Sequence, residues 1–235
     1  MLIYHISDTH NQHAKITIPE NVDLLIHSGD AGIARKAKSS ELEIRDFLKW
    51  FSNQNVKHKI YVPGNHDSAV EAGRITKEEC LEMGVHLLIN ESVEIEGMKI
   101  WGSPYVPTFG DWSFMKSRIN ISEVWDQMDL EADVLVTHGP PYGILDLAVK
   151  NYRDSYGVSL LKYVEHVGCK SLLKKLKESN AKLHCFGHCH SKESCFNNGI
   201  FIHPEFNMMF SNASSLMDKP GERFRFTGNL ITLGY

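Results

Sequence analysis

The sequence lacks the features that mark membrane, secreted and nucleic-acid-binding proteins. No apolar run approaches the roughly 18 residues that a membrane-spanning helix needs, so no membrane association is predicted. Residues 1–6 have neither a basic start nor a long apolar stretch, and we therefore expect no signal peptide. A net charge of −4 offers no basic excess, so no stable nucleic-acid partner is expected.

Cysteine is also scarce, and its spacing excludes two kinds of small-protein scaffold. The chain has five cysteines, which form neither a disulfide framework nor the Cys-x-x-Cys pairs of a structural zinc site. We therefore expect free thiols in a reducing, cytoplasmic compartment. With 235 residues, 42% of them hydrophobic, and no linker or internal repeat, the sequence predicts one domain over residues 1–235.

Short apolar runs that alternate with amphipathic segments predict an α/β (α+β) fold. Helices are expected from a capping box at Ser40 to about Ser52, near Lys77–Met83, and over 158–179 with a break at Gly168. The C-terminal part predicts further strands. The other predicted strands are Leu2–Ser7, Asp23–His27, Lys59–Val62, Val85–Ile89, Val93–Ile95, Met98–Trp101, Asp133–Thr137 and Lys182–Phe186.

Residue types that ligate metals follow five of these strands. They are Asp8-Thr9-His10, Gly29-Asp30, Gly64-Asn65-His66-Asp67, Thr137-His138-Gly139 and Gly187-His188-Cys189-His190. Because open α/β sheets commonly place ligands at the carboxyl ends of their strands, we expect these clusters to converge. Carboxylates, imidazoles and one amide oxygen suit manganese, iron or zinc better than calcium. The pattern therefore predicts a two-metal hydrolytic site.

Taken singly, each cluster has a structural explanation that is at least as good. Asp and Gly are ordinary loop residues, and histidines often pack locally, so only the ordered set favours metal binding. Cys189 stands between two expected ligands, and its side chain is expected to point away from them. The histidines in or beside strands receive no role, namely His5, His27, His58, His86 and His184.

In this order and spacing, the five clusters resemble the calcineurin-like metallophosphoesterase family. The resemblance covers nearly the whole chain and implies a two-layer mixed β-sandwich flanked by helices. Further motifs resemble the metallophosphoesterase-domain branch, which includes cyclic-nucleotide phosphodiesterases. These motifs are Gly102-Ser103-Pro104 with Asp111-Trp112, His138-Gly139-Pro140-Pro141, Gly143-Ile144-Leu145-Asp146, Gly168-Cys169 and Asn212-Ala213-Ser214.

The resemblance also implies which residues hold each of two metal ions. Asp8, His10, Asp30 and His190 would hold the first ion, and Asp30, Asn65, His138 and His188 the second, so that Asp30 bridges them. A carboxylate can do this because it has two oxygens and a negative charge to share. Some members of the branch have glycine at the last histidine, whereas this chain has His190, and full two-metal activity is therefore expected.

The mechanism implied by the resemblance is in-line attack of a metal-bridging hydroxide on phosphorus, without a protein nucleophile. His66 is the expected catalytic residue, which stabilises the developing charge or protonates the leaving oxygen. Asp67 is expected to assist by orienting the His66 imidazole.

Two classes of function remain open. The favoured one is an enzyme that cleaves nucleotide-type phosphodiesters, cyclic nucleotides among them, with a phosphomonoesterase as the alternative. The other is a non-catalytic scaffold of the same fold, which the presence of His66 and of every expected ligand disfavours. The expected partner is a small-molecule phosphoester, and the residues indicate no oligomeric state. Aromatic residues within 101–114 could stack on a nucleobase or pack in the core.

Overall fold

The computed structural model describes residues 1–153, 159–191, 195–215 and 228–234. The helices within these ranges are α1 (Ala37–Ser52), α2 (Ser68–Glu71), α3 (Lys77–Glu82), α4 (Ser122–Trp125) and α5 (Lys170–Leu176), with a 3₁₀ turn at His13–Lys15. The strands are β1 (Leu2–Ile6), β2 (Leu24–His27), β3 (His58–Tyr61), β4 (His86–Leu87), β5 (Glu91–Ile95), β6 (Met98–Ser103), β7 (Val106–Pro107), β8 (Met115–Lys116), β9 (Val134–Thr137), β10 (Leu147–Arg153), β11 (Ser159–His166), β12 (Leu183–Phe186), β13 (Gly199–Ile202), β14 (Met209–Asn212) and β15 (Asn229–Thr232).

Two mixed sheets form the centre of the fold. The first has the strand order β15-β1-β2-β3-β4, in which β1 to β4 are parallel and β15 is antiparallel to β1. The second has the order β13-β14-β12-β9-β6-β5, with a parallel centre and an antiparallel strand at each edge. Two small pairs, β7 with β8 and β10 with β11, lie outside these sheets.

The two sheets pack face to face, and helices cover their outer faces. One core cluster joins Ile26 and Ile60 of the first sheet to Val134 and Leu183 of the second. A separate cluster packs α1 on the outer face of the first sheet, and another packs α4 and α5 on the second. The predicted two-layer mixed sandwich flanked by helices is therefore confirmed.

The strands that lead to the site are buried on both faces, which explains why they could be recognised in the sequence. Every residue of β2, β9 and β12 is buried. A strand covered on both sides reads as a continuous apolar run rather than an alternating one, and its end is marked by the first polar or glycine residue. The predicted positions of these strands are confirmed to within about one residue.

The helix predicted over 158–179 is wrong for its first half. Residues Ser159–His166 form β11, which pairs antiparallel with β10, and only Lys170–Leu176 is helical. Pairing with β10 decides the conformation, because Tyr163 and Val164 suit a pleated surface at least as well as a helix. Gly168 and Cys169 then separate the strand from the helix.

The first long helix begins three residues earlier than predicted, and its expected capping box is absent. Glu43 instead accepts hydrogen bonds from the backbone N–H groups of Ile33 and Ala34, at 2.7 and 2.9 Å. Ser40 accepts one from the Ala69 N–H at 3.2 Å. Both side chains therefore fix neighbouring loops, since tertiary contacts compete with local capping. The structure has a complete capping box at Thr76, at the start of α3.

The structure contains no membrane-crossing helix among the residues it describes, because none of these helices is both long and apolar enough.

Candidate metal centre

The loops that follow five parallel strands meet at one edge of the two packed sheets. Asp8 follows β1, Asp30 follows β2, and Asn65 follows β3, whereas His138 and His188 follow β9 and β12. Backbone hydrogen bonds tie these loops together within each sheet, and the bond from Ser215 N–H to Ser7 O, at 3.1 Å, joins the two sheets. Asp8 N–H donates to Gly29 O at 2.8 Å, and Gly187 N–H donates to His138 O at 2.9 Å. The edge is therefore a rigid platform rather than a set of independent loops.

One group of donor atoms comprises Asp8, His10 and His190. His190 Nε2 lies 3.1 Å from Asp8 Oδ1 and 3.4 Å from His10 Nε2. These atoms lie within 4.8 Å of one another, close enough for one ion to contact all three. Asp8 and His10 are buried, and His190 is half-buried. The three residues thus offer one oxygen and two nitrogens to a common point.

A second group comprises Asp30, His138 and His188, with Asn65 beside it. His138 Nε2 lies 3.4 Å from Asp30 Oδ2 and 3.1 Å from Asn65 Oδ1. The donor atoms of Asp30, His138 and His188 also lie within 4.8 Å of one another. The structure therefore brings together the four residues that the resemblance assigns to the second ion.

Asp30 connects the two groups. Its Oδ2 atom lies 3.8 Å from His10 Nε2 and 3.4 Å from His138 Nε2, and a third cluster of donors joins Asp30, His10 and His66. One buried carboxylate thus lies within reach of histidines from both groups. This is the arrangement that a bridging ligand requires.

Backbone carbonyls fix the orientation of two of the imidazoles. His10 Nδ1 lies 2.9 Å from Gly32 O, and His138 Nδ1 lies 2.9 Å from Ser28 O. Since a carbonyl oxygen can only accept, the Nδ1 atoms carry the protons and Nε2 retains its lone pair when each ring is neutral. Both Nε2 atoms face the Asp30 carboxylate. The Nδ1–H bonds to carbonyl oxygens are those that metal-ligating histidines commonly make with their other ring nitrogen.

Burial determines the charges at the site. It lowers the pKa of His10 to about 4 and that of His188 to about 3, so both rings are neutral at pH 7. Burial also disfavours charge on His138, but the Asp30 carboxylate outweighs it and raises the pKa of His138 to about 9. Despite their own burial, Asp8 and Asp30 keep pKa values well below the usual range because histidines surround them. Without a metal, the site therefore holds two anionic carboxylates, two neutral imidazoles at His10 and His188, and a protonated His138. Once His138 gives up its proton, this donor set fits divalent transition-metal ions.

His66 lies at the edge of the centre. Its Nε2 is 4.0 Å from Asp30 Oδ2, and its Nδ1 is 3.1 Å from Ile33 O. The His66 ring packs against the indole of Trp112, with centroids 4.2 Å apart. The guanidinium of Arg35 in turn lies 3.7 Å from the centroid of the Trp112 ring. Sequence reasoning missed this role of Arg35 and Trp112, because the three residues come from separate loops without a shared motif.

Asp67 lies beneath the site and contacts the backbone. Its two oxygens accept hydrogen bonds from the N–H groups of Asp30, Ala31, Gly32 and Gly64, at 2.7 to 3.1 Å. Burial and then the nearby Asp30 carboxylate raise the pKa of Asp67 to about 6. This geometry differs from the expectation that Asp67 orients His66, whose Nδ1 instead contacts a carbonyl oxygen.

The loops at the site adopt conformations that most sequences avoid. Asp8, Asp30 and His188 have positive φ angles of 51°, 58° and 66°, a region in which a side chain costs energy. Gly64 permits the close approach of Asp30, since a Cβ atom there would lie 2.3 Å from Asp30 Oδ1. Such strain persists where the surrounding contacts over-determine the backbone, as the hydrogen bonds to Asp67 do here.

The aromatic stretch divides between the core and the site. Trp101 and Phe114 are buried, whereas Phe109 is 56% exposed and lies 5.2 Å from the His188 ring. Phe109 and His188 both line a cleft of about 420 Å³ that leads away from the metal centre. Core packing therefore accounts for the first pair, and Phe109 remains available to a ligand.

Other residues singled out in the sequence support the platform. Asn212 donates hydrogen bonds from Nδ2 to Leu145 O and Cys189 O, so it braces the loop that carries His188 and His190. Cys189 itself is buried. His5, His27 and His184 are fully buried and form hydrogen bonds with hydroxyl groups, as expected of histidines that pack in the core.

Comparison with known proteins gives consistent matches. The sequence model described as calcineurin-like phosphoesterase matches residues 1–192. The chain is 30% identical to human metallophosphoesterase domain-containing protein 1 over 213 residues, which cover 79% of this chain and 59% of the relative. It is 30% identical over 224 residues to a UPF0046 protein of Caenorhabditis elegans, covering 89% and 68% respectively.

A third match involves a much longer protein. The chain is 32% identical over 197 residues to the probable rhamnogalacturonate lyase C of Emericella nidulans, which cover 79% of this chain and 16% of that protein. The chain thus spans between about one sixth and about two thirds of the length of these curated relatives.

Proposed function

The chain belongs to the calcineurin-like phosphoesterase family, and on this premise we propose that it hydrolyses phosphodiesters of nucleotide type at two divalent metal ions. The observation that carries the proposal is the position of Asp30 between two groups of donor atoms. A single structural ion would need only one closed group of four ligands. Two adjoining groups that share a carboxylate are what a two-metal hydrolase requires.

Asp30 would be the shared ligand, and the remaining ligands would divide as the two groups do. Asp8, His10 and His190 would complete the first site, and Asn65, His138 and His188 the second. Manganese, iron and zinc suit this mixture of oxygen and nitrogen donors. When bound, such ions lower the pKa of water and neutralise phosphoryl oxygens. The proton that Asp30 holds on His138 would leave on metal binding, so affinity would increase with pH.

His66 is the residue that we assign to proton transfer. Its imidazole lies at the margin of the centre and is partly exposed, so a substrate oxygen can reach it. It would protonate the leaving oxygen or stabilise the charge that develops on phosphorus. We assign Asp67 a positioning role, because its four N–H contacts fix the loop of Asp30 and Gly64. His66 itself is linked to that loop by its N–H, which donates to Asp30 Oδ1 at 2.8 Å.

Preference for diesters of nucleotide type is supported by the cleft. A monoester needs room only for one alcohol group, whereas a diester carries a second substituent. The cleft of about 420 Å³ begins at His188 and His190 and includes the exposed Phe109 ring, on which a planar base could stack. A small phosphoester is therefore the proposed partner.

We also propose that residues 1–235 act as a single domain in the cytoplasm. The C-terminal strand β15 pairs with β1, and one core cluster spans both sheets, which supports a single folding unit. The five cysteines are buried thiols rather than disulfides, as expected in a reducing compartment.

The test compares hydrolysis of bis(p-nitrophenyl) phosphate and p-nitrophenyl phosphate by metal-stripped protein, with and without added manganese. Manganese-dependent turnover of the diester in preference to the monoester is the expected result. Preference for the monoester would make the protein a phosphomonoesterase. Absence of turnover with either ester and with nucleotide diesters, despite bound metal, would favour the scaffold alternative.

A further inference from the structure

The cleft that begins at the metal centre continues into a second one. The first, of about 420 Å³, is lined by His190 and, farther along, by Arg118 and His166. The second, of about 380 Å³, is lined by the same Arg118 and His166 and adds Tyr142 and Lys170. Since the two clefts share residues, a ligand at the metal centre could extend into the second.

A buried carboxylate holds the residue at the junction of the clefts. Asp146 is fully buried and accepts hydrogen bonds from the N–H groups of Gly143 and Gly168, both at 2.9 Å. It also lies 2.5 Å from Nδ1 of His166, whose side chain is 44% exposed. Because the carboxylate occupies Nδ1, Nε2 is the ring nitrogen left for a ligand. The Gly143–Asp146 and Gly168-Cys169 motifs therefore meet at this site.

The two cations at this site, Arg118 and Lys170, contact neutral groups. Arg118 donates from Nη1 to Gly168 O at 3.1 Å and from Nη2 to Val167 O at 2.9 Å. These acceptors are neutral, and they use two of the five guanidinium donors. Lys170 Nζ lies 4.7 Å from the centroid of the Tyr142 ring. Within the part of the chain that the structure describes, neither cation forms an ion pair with a carboxylate.

We propose that Arg118, His166 and Lys170 bind a second phosphate group of the substrate, distal to the ester held at the metal centre. The guanidinium and ammonium groups in this cleft provide the charge-assisted donors that a phosphate needs, and His166 in its imidazolium form would add an Nε2–H donor. The substrate class is therefore a phosphodiester that bears a further phosphate. This inference rests on the proposed phosphoesterase function, because it assigns both phosphates to the same molecule.

The test measures binding of alkane-α,ω-diyl bisphosphates of increasing chain length to the manganese-loaded full chain by calorimetry. Alkyl monophosphates of the same length provide the reference. A protein with two phosphate sites binds most tightly the bisphosphate whose alkane chain matches the distance between the sites. We therefore expect affinity to pass through a maximum with length, at which the bisphosphate binds at least about tenfold more tightly than the monophosphate.

Two variants locate the second phosphate. Lys170→Gln and His166→Asn should each reduce the advantage of the bisphosphate at the optimal length, whereas Lys174→Gln should leave it unchanged. Lys174 is the matched control because it is an exposed lysine of the same helix that lines neither cleft. Arg118 is left unchanged in these tests, since its bonds to two carbonyls shape the cleft itself.

The inference is overturned if bisphosphates of every length bind no more tightly than monophosphates, or if both variants retain the full advantage. Hydrolysis of an aryl diester by the same preparations reports separately on the proposed function. Turnover without a length optimum would remove the second phosphate site and leave the phosphodiesterase. A length optimum without turnover of any ester would preserve the phosphate site and refute the hydrolytic function.

Discussion

The imidazole of His66 packs against the indole of Trp112, with ring centroids 4.2 Å apart and planes inclined by 42°. Trp112 lies in the loop between β7 and β8, and the N–H of the next residue, Ser113, donates to Asn65 O at 3.3 Å. That hydrogen bond anchors the loop to the residue that precedes His66. The indole therefore limits the rotation of the imidazole that we assign to proton transfer.

Replacing Trp112 should reduce turnover without a comparable loss of substrate binding. We expect Trp112→Leu to lower kcat by about tenfold and to change KM by less than about twofold, because the loosened His66 ring no longer meets the leaving oxygen in one orientation. Trp112→Phe keeps a flat ring and should retain most of the activity. Steady-state kinetics on an aryl diester measures both effects. Equal kcat values for Trp112→Leu and wild type would exclude a positioning role for Trp112.

Removing the His66 imidazole should have a larger effect. We expect His66→Gln to lower kcat by about 100-fold or more, the usual contribution of a general acid, while metal content stays unchanged. His58→Gln is the control, since His58 contacts Glu96 at the opposite, surface-exposed end of β3. Metal analysis accompanies the kinetics. If kcat of the His66 variant matched that of wild type, another group would have to carry the proton.

The sequence predicts the position of the clusters at the site far better than the contacts between them. Asp8, Asp30 and His138 each follow a continuous apolar strand, and both the strand and its end are local features. The packing of Trp112 on His66 and of Arg35 on Trp112 depends instead on how separate loops meet. Such contacts have no local periodicity, so a single sequence could not reveal them.

The errors have the same origin. The first turn of α1 could not be predicted from Ser40 and Glu43 because both side chains bond to loops distant in sequence. The strand at Ser159–His166 depends on pairing with β10, and its residues are compatible with either conformation when considered alone. Asp67 belongs to a visible motif, yet its four N–H donors become apparent only after the loops have folded around it.

Asp30 should matter to both metal ions. We expect Asp30→Asn to retain less than about half the metal of wild type after dialysis, because the substitution removes a negative charge that both groups of ligands share. Asp129→Asn is a matched control at a carboxylate that bonds to Ser92 and Lys99 away from the site. Elemental analysis measures metal per chain. Equal metal content in the Asp30 variant and wild type would argue against a bridging role.

Acid should weaken the fold through His184, which braces the strands below the metal centre. Thr137 Oγ1 donates to Gly139 O at 2.7 Å, so its oxygen accepts from His184 Nε2–H at 2.8 Å, and Nδ1 is left unprotonated. Nδ1 is buried and has no hydrogen-bond partner among the residues that the structure describes, so a proton there would be an unpaired donor in the core. Burial and then the nearby His5 lower the pKa of His184 to about 3.

The pH dependence follows from this lowered pKa. In the unfolded chain His184 binds a proton when the pH falls below its ordinary pKa of about 6.5. In the folded chain it stays unprotonated until the pH falls to about 3. The contribution of neutral His184 to stability is therefore complete above about pH 6.5 and declines as pH falls. The decline lowers the folding equilibrium constant by up to about tenfold per pH unit. His184→Gln, which cannot titrate, should remove this part of the slope between about pH 6.5 and 5. Loss of the imidazole contact shifts stability by the same amount at every pH and leaves the slope unaffected.

Urea unfolding of metal-stripped wild type and His184→Gln across this range measures the difference in slope. Metal-stripped protein is required because protons also compete with ions at the neighbouring ligands. Other groups that titrate, such as His138 with its raised pKa, are present in both proteins and cancel in the comparison. Parallel curves for the two proteins would mean that His184 accepts a proton in the folded state. Since His184 bonds to the residue that precedes His138, a steeper decline in wild type would tie the acid stability of the metal centre to the strands beneath it.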